Sequence, residues 1–372
     1  MKEKICVYTC ITGDYDEISE IETKEKNIDY YLFTNNKNIK SDTWNVIYID
    51  NPDNLDNIRL ARKIKILGNE ITKKYDITIW LDGASYIRKS IKEFIEKYIN
   101  FDEYSLIGFK HRERDCIYDE ALECVKVRKD NKDIIKKQMD KYKKEKYPKH
   151  NGLIESTILF RKNNDKTLDK TMKLWFEEIK KFSYRDQLSF NYVANITKLQ
   201  YKLLDINVFD NEFFGWKKHN EQKSLENFNV YFDDDKDFNY DSIYLGKYKK
   251  NNNKYIGEFK VLKNTNIIKI ELSNSYGIKF NNLKIENNNI EKQNLVNWSQ
   301  YLDYNIFDGG TPTVFIHGNF KKNNIITFSI EMNFMTDDEY LNIIKRLNTL
   351  VCSLNDNKSI INRIKNKYKK KG

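Results

Sequence analysis

The sequence predicts a two-part protein: an α/β domain, then an antiparallel β-sandwich with a C-terminal helix. At 372 residues the chain is longer than one ordinary domain. Before residue 220, short apolar runs alternate with amphipathic stretches, as in a sheet covered by helices. Beyond the acidic stretch 233–237, apolar residues recur at every second position, which is typical of antiparallel strands. We therefore place three parts at 1–222, 241–335 and 336–372.

The first domain is organised around the stretch 75–87. Ile77–Leu81 is an unbroken apolar run with β-branched and aromatic residues, which predicts a strand buried on both faces. The run ends in Asp82-Gly83, where a glycine permits a turn and the close approach of a ligand. Open α/β sheets bind ligands at the carboxyl ends of their strands, so Asp82 is a candidate binding residue. A plain strand ending in an Asp-Gly turn explains this segment alone equally well.

The other elements of the first domain follow from the same patterns. Further strands are predicted at 5–9, 29–34, 44–50 and 105–109, and within 150–161. Helices are predicted at 57–67, 90–98 and 168–181, and a long Lys-rich helical region at 121–147. Asp186 stands at a further helix start, where its side chain can act as a cap. The alternation of strand and helix predicts a parallel sheet with helices packed on it.

The second domain is predicted from its period of two. Ile268, Ile270 and Leu272 alternate with polar residues, as do apolar residues between 326 and 334. Turns containing Asn and Gly separate such runs, which predicts an antiparallel sandwich. Thr336 and Glu339 form a capping-box pattern for the final helix, and a basic tail follows at 363–371.

Composition limits the compartment and the partners. The five cysteines lack close pairing, so a disulfide framework or zinc site is not expected, and a reducing, cytoplasmic location fits. We expect no signal peptide and no membrane-spanning helix. The net charge of +10 favours acidic partners, and the basic tail suits peripheral contact with an anionic membrane surface. Nucleic acid is not expected as a partner, because acidic residues interrupt the cations and no motif stands among them.

Basic and polar residues gather at two places in the first domain. The helix 57–67 carries Arg59 and Arg62, with Lys63 or Lys65, at three- and four-residue spacing. Such a face can hold a diphosphate, and it can equally face solvent. The loop 110–120 holds His111 and directly follows a buried-type strand, where active-site loops lie.

Six short motifs stand in order between residues 8 and 190. They are Tyr8-Thr-Cys-Ile-Thr-Gly13-x-Tyr15-Asp16, Arg59-x-x-Arg62, Tyr75-Asp-x-x-Ile-Trp80-x-Asp82-Gly83, His111-x-x-Arg114-x-x-x-Tyr118-x-Glu120-Ala121, Gly152-Leu153-x-Glu155 and Ser183-x-Arg185-Asp186-Gln187-Leu188-Ser189-Phe190. Together they resemble a glycosyltransferase-like family of bacterial surface-polysaccharide loci and plant mucilage-related Golgi proteins. The resemblance implies a GT-A fold, in which one Rossmann-like domain binds a nucleotide-sugar.

The resemblance also implies roles for donor-binding residues. Thr9, Thr12 and Asp16 would border the nucleoside, and Arg59 and Arg62 would approach the diphosphate. Asp82, followed by Gly83, matches the first carboxylate of an Asp-x-Asp motif that holds a divalent metal, Mn²⁺ or Mg²⁺, on the donor. The pair Asp186-Gln187 is similar to the Asp-Gln pair that lies beside the transferred sugar in lipooligosaccharide galactosyltransferases. His219 stands where those enzymes supply a further metal ligand.

The sequence departs from that pattern at the second acidic position, which is Ala84. One carboxylate and one histidine, Asp82 and His219, make a thin ligand set for Mg²⁺ or Mn²⁺. The alternative to a metal is stabilisation of the leaving group by cations, among Arg59, Arg62, His111 and Arg114.

The resulting hypothesis is glycosyl transfer from a nucleotide-sugar, with UDP-sugars favoured, to a hydroxyl of a glycan or glycolipid. A carboxylate near the anomeric carbon is required, and Asp186 is the first candidate and Glu155 the second. His111 is a candidate for contacting the donor or the acceptor.

Two rival functions stay open from the sequence. A hydrolase is one, since some plant relatives are described as lipid amidases, but the chain has no Gly-x-Ser-x-Gly elbow or His-rich metal motif. A non-catalytic carbohydrate-binding protein is the other, with Trp298 among the aromatic residues that suit sugar rings.

Overall fold

The computed structural model describes residues 3–13, 18–217, 225–232, 240–273, 278–296, 298–301, 304–306, 311–336 and 338–339. The chain divides into two compact units, Met1–Glu221 and Gln222–Gly372. Thr336 and Glu339 exchange the two hydrogen bonds of a capping box. The predicted helix after them, the basic tail and the acidic joint at 233–237 lie outside the described residues.

The first unit alternates strands and helices. Its strands are β1 Ile5–Cys10, β2 Ile28–Thr34, β3 Asn45–Tyr48, β4 Ile77–Leu81, β5 Ser85–Ile87, β6 Leu106–Lys110, β7 Ile154–Lys162, β8 Tyr201–Leu204 and β9 Phe214–Trp216. Its helices are α1 Asn57–Leu67, α2 Ile91–Tyr98, α3 Ile117–Lys126, α4 Lys132–Lys144, α5 Lys166–Lys181 and α6 Gln187–Thr197, and a 3₁₀ turn lies at Thr72–Lys74. The predicted α/β class is confirmed.

The central sheet is mixed rather than parallel as predicted. Its seven strands follow the order β3-β2-β1-β4-β7-β6-β8. Strands β1, β2, β3 and β4 pair in parallel, whereas β7 runs antiparallel to both β4 and β6. The chain leaves the sheet at the carboxyl end of β6 and re-enters it in β7 on the same side, because α3 and α4 return it there. By an edge of the sheet we mean such a side, at which the strands begin or end. The carboxyl ends of β1, β4 and β6 therefore share one edge with the beginning of β7.

The long helical region predicted at 121–147 is two helices. Helix α3 ends at Lys126, and Arg128 then adopts a left-handed backbone with a φ of 56°. Asn131 caps α4, since its side-chain oxygen accepts hydrogen bonds from the backbone N–H groups of Asp133 and Ile134. A left-handed residue and a new N-cap end one helix and start another, which the Lys-rich composition conceals.

Helix α1 has the bounds that its sequence predicts. The Asp56 side chain accepts a hydrogen bond from the backbone N–H of Arg59 at the start, and Gly68 ends the helix with a φ of 67°. Leu60, Ile64 and Ile66 are buried, as expected of the apolar side of a helix that covers a sheet. Lys65 is buried among them.

The second unit consists of antiparallel strands, as predicted. They are β10 Asn227–Phe232, β11 Ile243–Lys247, β12 Lys249–Asn251, β13 Lys254–Lys260, β14 Thr265–Glu271, β15 Ile278–Glu286, β16 Ile290–Val296, β17 Ser299–Tyr301, β18 Tyr304–Ile306, β19 Thr313–Phe320 and β20 Ile325–Phe334, with a 3₁₀ turn at Tyr240–Ser242. They form one sheet of order β11-β10-β14-β19-β16 and another of order β12-β13-β20-β15-β18-β17. Side chains from both sheets build one core, in which the ring centroids of Phe228 and Phe328 are 5.0 Å apart.

No helix in the part of the chain that the structure describes is long and apolar enough to cross a membrane.

Candidate functional site

Three carboxylates meet at the edge where β1, β4 and β6 end. Asp82 follows β4, Glu155 is the second residue of β7, and Asp186 caps α6. The backbone N–H of Asp82 donates to the Thr157 carbonyl at 2.9 Å, which fixes the end of β4 beside the beginning of β7. Because β7 is antiparallel, its first residues and the carboxyl end of β4 occupy the same edge. We name Asp82, Glu155 and Asp186 the carboxylate cluster.

A buried lysine joins two members of this cluster. Lys65 lies in the last turn of α1 and is only 1% exposed. Its Nζ is 2.6 Å from Oδ2 of Asp186 and 3.2 Å from both Oδ1 of Asp82 and Oγ of Ser156. An ammonium has three N–H donors, and three oxygen atoms surround this one. Lys65 therefore links α1 by charged hydrogen bonds to residues of β7 and to residues that follow β4 and precede α6.

Asp82 is the most exposed carboxylate of the cluster, with 22% of its side chain accessible. Its Oδ1 accepts hydrogen bonds from Nε1 of Trp80 at 2.6 Å and from Nζ of Lys65 at 3.2 Å. The carbonyl of Asp82 accepts from the backbone N–H of Ser85 at 2.8 Å, which closes a turn through Gly83 and Ala84. Gly83, a predicted donor-binding residue, is buried in that turn. The side chain of Asp82 is thus held in place while part of it faces solvent.

Asp186, the first catalytic candidate, is 2% exposed, and both of its carboxylate oxygens accept hydrogen bonds. Its Oδ2 accepts a hydrogen bond from Ser156 at 3.0 Å besides its contact with Lys65, and its Oδ1 caps α6 through the backbone N–H of Gln187. Burial alone would raise the pKa of Asp186, but Arg62, Lys65 and Arg185 outweigh it and hold the pKa well below its usual range. Asp186 is therefore a permanent negative charge inside the unit.

The pKa of Glu155, the second catalytic candidate, is shifted in the opposite direction, upward. Burial, together with the negative charges of Asp82 and Asp186, raises the pKa of Glu155 to about 7, and the hydrogen bond from Thr157 only partly offsets this. Its Oε1 accepts from Nε2 of Gln187 at 2.8 Å and from Oγ1 of Thr157 at 3.0 Å. Glu155 therefore exchanges its proton close to neutral pH, as an acid or base for catalysis must.

The Gln187 side chain connects Glu155 to a further cation. While Nε2 of Gln187 donates to Glu155, its Oε1 accepts from Nη2 of Arg185 at 3.2 Å. Arg185 thereby fixes which way the amide of Gln187 points. The predicted pair Asp186-Gln187 thus lies inside the cluster, with one residue on Lys65 and the other on Glu155.

His111 approaches Glu155 from the loop after β6. The backbone N–H groups of Glu113 and Arg114 donate to Nδ1 of His111 at 3.3 and 3.2 Å. Nδ1 therefore acts as an acceptor, and the proton of the neutral ring is on Nε2. Nε2 lies 3.6 Å from Oε2 of Glu120 and 3.8 Å from Oε2 of Glu155. Burial lowers the pKa of His111, although the negative charge of Glu120 counteracts it, so His111 is neutral at pH 7.

Arg114 stabilises this loop through an ion pair with Glu120. Its Nε donates to Oε2 of Glu120 at 2.7 Å, and Glu120 is 2% exposed. The ion pair fixes the carboxylate that faces His111. The loop 110–120, singled out from its polar composition, therefore places Arg114, Glu120 and His111 side by side, with the His111 ring 3.8 Å from Glu155.

The predicted nucleoside-binding residues at the end of β1 differ in their burial and hydrogen bonding. Thr9 is fully buried, and its hydroxyl has no hydrogen-bond partner within the described residues. Thr12 donates from Oγ1 to the Asn57 carbonyl at 2.7 Å, which joins this loop to the start of α1. Asp16 lies outside the described residues. Gly13 has a φ of 63°, which favours glycine, and a Cβ there would come within 2.7 Å of Nδ2 of Asn57, so a larger residue would strain this loop.

The two predicted diphosphate-binding arginines differ in their contacts. Arg59 uses Nε on the Ile179 carbonyl, Nη2 on the Phe182 carbonyl and Nη1 on Asp56, so it binds the C-terminal end of α5. Arg62 instead points Nε toward Oδ2 of Asp186 at 3.7 Å, and that Nε is buried without a hydrogen-bond partner in the described part of the chain. Arg62 is thus the arginine that borders the carboxylate cluster.

The donor atoms around Asp82 do not fit a divalent metal. Ala84 replaces the second acidic residue, and His219, the predicted second ligand, lies outside the described residues. Among the residues that the structure describes, the one group of three His, Cys, Asp or Glu ligand atoms is Cys116, Asp119 and His150, which excludes Asp82. Mg²⁺ and Mn²⁺ require several oxygen ligands, whereas Asp82 is a single carboxylate whose Oδ1 already accepts from Trp80 and Lys65.

Sequence reasoning left two parts of this arrangement unassigned. The helical period allowed either Lys63 or Lys65 on the cationic face, and the structure distinguishes them: Lys63 is on the outside, 2.5 Å from Asp53. The signal for Lys65 is its place between Ile64 and Ile66, since a cation amid apolar residues suggests burial. Ser156, next to Glu155, carried no sequence signal at all.

Comparisons with known proteins give a family and, among the solved structures, weak likenesses such as the following one. The apo structure of WbbM, a bifunctional glycosyltransferase, has 9% sequence identity to this chain and a TM-score of 0.31. That match covers 55% of this chain and 39% of the WbbM chain, less than half of its length. No curated protein matches.

A family model gives the second comparison. The model of the TOD1/MUCI70 glycosyltransferase-like domain matches residues 1–219, which is more than half of the chain and contains the whole carboxylate cluster. The resemblance drawn from the six motifs is confirmed by this match. The chain belongs to the TOD1/MUCI70 glycosyltransferase-like family.

Proposed function

We propose that this chain is a glycosyltransferase that moves a sugar from a nucleotide-sugar, with UDP-sugars favoured, to a hydroxyl of a glycan or glycolipid. The first unit would be the GT-A-type catalytic domain, and the antiparallel unit an accessory β-sandwich. Membership of a glycosyltransferase-like family supports the reaction class. The observation that carries the proposal is the carboxylate cluster, in which Glu155 has a pKa of about 7 beside the ionised Asp186.

In this proposal Glu155 is the catalytic base, and Asp186 is a positioning residue. Removing the acceptor's hydroxyl proton requires a group that changes its protonation state near pH 7, and Glu155 meets this requirement. The pKa of Asp186 is far too low, and its oxygens already accept from Lys65, Ser156 and the backbone of Gln187. The order of the two catalytic candidates is thus reversed relative to the sequence-based hypothesis.

The neutral His111 supports the same base. Its Nε2–H faces Oε2 of Glu155 at 3.8 Å and Oε2 of Glu120 at 3.6 Å, so it is a hydrogen-bond donor beside both carboxylates. A hydroxyl of the acceptor or of the donor sugar that enters between His111 and Glu155 would find one donor and one acceptor. This gives His111 a role in orienting a sugar hydroxyl.

The departing nucleoside diphosphate needs positive charge. Arg62 borders the cluster, and its Nε lacks a hydrogen-bond partner within the described residues. A guanidinium can bind two phosphate oxygens at once, and in a partly buried site such a contact strengthens as charge develops on the leaving group. We assign Arg62 to the diphosphate, whereas Arg59 is committed to carbonyls of α5.

The test is binding and turnover with a panel of nucleotide-sugars, using the full chain. A donor at a hundred times its dissociation constant should stabilise the protein by about 2.7 kcal/mol, which thermal shift detects. Transfer of the sugar to an acceptor, with release of the nucleoside diphosphate, is the expected outcome. Cleavage of an amide by water without any nucleotide would favour the hydrolase.

Binding of a glycan with no nucleotide bound would instead favour a carbohydrate-binding protein. One observation suits that rival: Trp298 in the second unit is 43% exposed, as an aromatic side chain that stacks on sugar must be. Replacing Trp298 by Ala should then abolish glycan binding, whereas in a transferase it should leave nucleotide-sugar binding unchanged.

A further inference from the structure

The ammonium of Lys65 lies where two acidic residues would otherwise share a cation. Asp82 and Asp186 come from different elements, yet one Nζ is within 3.2 Å of the first and 2.6 Å of the second. The Ser156 hydroxyl, 3.2 Å away, supplies a third oxygen atom. Three oxygen atoms around one positive charge, in a position removed from solvent, are the surroundings of a bound cation as well as of a lysine.

The charges around Lys65 balance without any metal. Asp82 and Asp186 contribute two negative charges, and Lys65 contributes one positive charge between them. Arg62, with its Nε 3.7 Å from Asp186, and Arg185 add two positive charges, and Glu155, with a pKa of about 7, adds at most one negative charge. A divalent cation would enter a site whose charge is already neutralised and whose Asp82 Oδ1 already accepts from Trp80 and Lys65. Electrostatics therefore disfavour Mg²⁺ or Mn²⁺ at Asp82 while Lys65 is present.

We infer that Lys65 occupies the place of the divalent cation at Asp82, so that this chain binds its nucleotide-sugar without a metal. The inference rests on the proposed function and deepens it. Lys65 is a positioning residue, because it is buried and acts through Asp82 and Asp186 rather than on the substrate. The positive charge that meets the diphosphate then comes from Arg62, which borders the same cluster.

Removing the ammonium should convert the cluster into a metal site. In Lys65→Ala, two carboxylates lose their shared counter-charge, and the missing side chain leaves room for an ion with its waters. Mn²⁺ titration followed by electron paramagnetic resonance should find one new site in Lys65→Ala, at a Mn²⁺ concentration at least tenfold below any at which wild type shows a site sensitive to Asp82→Asn. The double variant Lys65→Ala/Asp82→Asn should lose that new site.

Lys63→Ala is the matched control. Lys63 lies on the same helix and is also paired with an aspartate, Asp53, at 2.5 Å, but on the exposed side. Its removal should create no Mn²⁺ site in the same titration. A weak site shared by all variants, for example at Cys116, Asp119 and His150, is separated from the cluster by its insensitivity to Asp82→Asn.

Nucleotide-sugar binding gives a second readout. The wild-type affinity for its donor should change less than twofold when EDTA replaces Mn²⁺. Lys65→Ala should bind the donor at least tenfold more weakly in EDTA and recover most of that loss in Mn²⁺. A merely structural lysine would give a loss that Mn²⁺ does not repair.

Three results would overturn the inference. The first is a wild-type Mn²⁺ site that Asp82→Asn abolishes, which needs no Lys65 variant and so decides the matter even if Lys65→Ala does not fold. The second is a folded Lys65→Ala that gains no Mn²⁺ site, and the third is wild-type donor binding that requires Mn²⁺. If no nucleotide-sugar binds under any condition, the proposed function fails, whereas the Mn²⁺ titration still decides the role of Lys65.

Discussion

Nζ of Lys65 lies 2.6 Å from Oδ2 of Asp186, and both side chains are buried. The pair joins the last turn of α1 to the N-cap of α6, and Ser156 of β7 donates to the same carboxylate. Charges that are removed from water depend on each other, since either one alone would be left uncompensated in a medium of low polarity. We therefore expect the effects of substituting Lys65 and Asp186 on the free energy of unfolding to be coupled.

This dependence predicts a non-additive double-mutant cycle. Lys65→Met and Asp186→Asn should each lower the free energy of unfolding by up to about 3–5 kcal/mol, because each removes the nearest opposite charge from a buried partner. The double variant removes both charges of this closest pair, so it should be more stable than the sum of the two losses predicts. Urea denaturation in EDTA measures all four proteins. Additive losses would mean that the two charges do not depend on each other.

Glu155→Gln should abolish most of the proposed transfer activity. The amide keeps the size of the side chain and can still accept a hydrogen bond from Gln187, but it cannot take a proton from the acceptor. We expect kcat to fall roughly 10²–10⁴-fold, the range for loss of a general base, with donor affinity changed only a few-fold. Glu123→Gln, on the accessible side of α3, is the control and should keep its activity. Near-normal turnover of Glu155→Gln would remove Glu155 from the catalytic role.

The raised pKa of Glu155 predicts a pH dependence of stability. Burial raises this pKa from 4.5 to about 7 in the folded chain, so the folded state holds the proton more tightly than the unfolded state. Below pH 4.5 both states are protonated, and between pH 4.5 and 7 the unfolded chain ionises first, so this contribution to stability is lost as pH rises. Asp186, whose pKa is lowered, acts in the opposite sense and only in more acidic solution.

The measurement is the urea midpoint of wild type and Glu155→Gln from pH 4.5 to pH 8. The variant cannot ionise at this position, so its advantage over wild type should grow through that window, by up to roughly 3 kcal/mol. Parallel curves for the two proteins would show that Glu155 ionises in the folded state as readily as in the unfolded state.

Local sequence signals predicted the elements of the first unit well. The bounds of α1 and β4 agree with the prediction, because a capping Asp56, a terminal Gly68 and an unbroken apolar run are all contained in a few neighbouring residues. The cap at Asp186 was predicted for the same reason. Such signals act within one turn or one strand, so the rest of the fold does not alter them.

The site depended on relations that no local signal contains. Glu155 is the second residue of its strand, so in a parallel sheet it would lie at the edge opposite to Asp82, and only the antiparallel direction of β7 brings the two together. Lys65 carries the same charge as Lys63 two residues away, and the packing of α1 decides which of them is buried. Pairing direction and burial are properties of the whole unit, which explains why the residue types were predicted and their arrangement was not.

The indole of Trp80 provides the last prediction, since its Nε1 donates to Oδ1 of Asp82 at 2.6 Å. Trp80→Phe keeps an aromatic ring against Tyr8, whose centroid is 5.3 Å away, and removes only this donor and part of the ring. Of the two side chains that donate hydrogen bonds to Asp82 within the described residues, only Lys65 would then remain. A hydrogen bond to a charged group contributes about 1.5–3 kcal/mol, so the affinity for the nucleotide-sugar should fall by roughly 10- to 150-fold if Asp82 must be held in place to bind.

Trp44→Phe is the control for this prediction. Trp44 is also buried, and its indole donates to the Ser19 carbonyl at 3.0 Å, away from the carboxylate cluster. Both variants should lose some stability in thermal unfolding, but only Trp80→Phe should lose affinity in calorimetric titration with the nucleotide-sugar. An equal loss in both variants would mean that general destabilisation, and not the orientation of Asp82, weakens binding. Unchanged affinity in Trp80→Phe would mean that Lys65 alone is enough to hold Asp82.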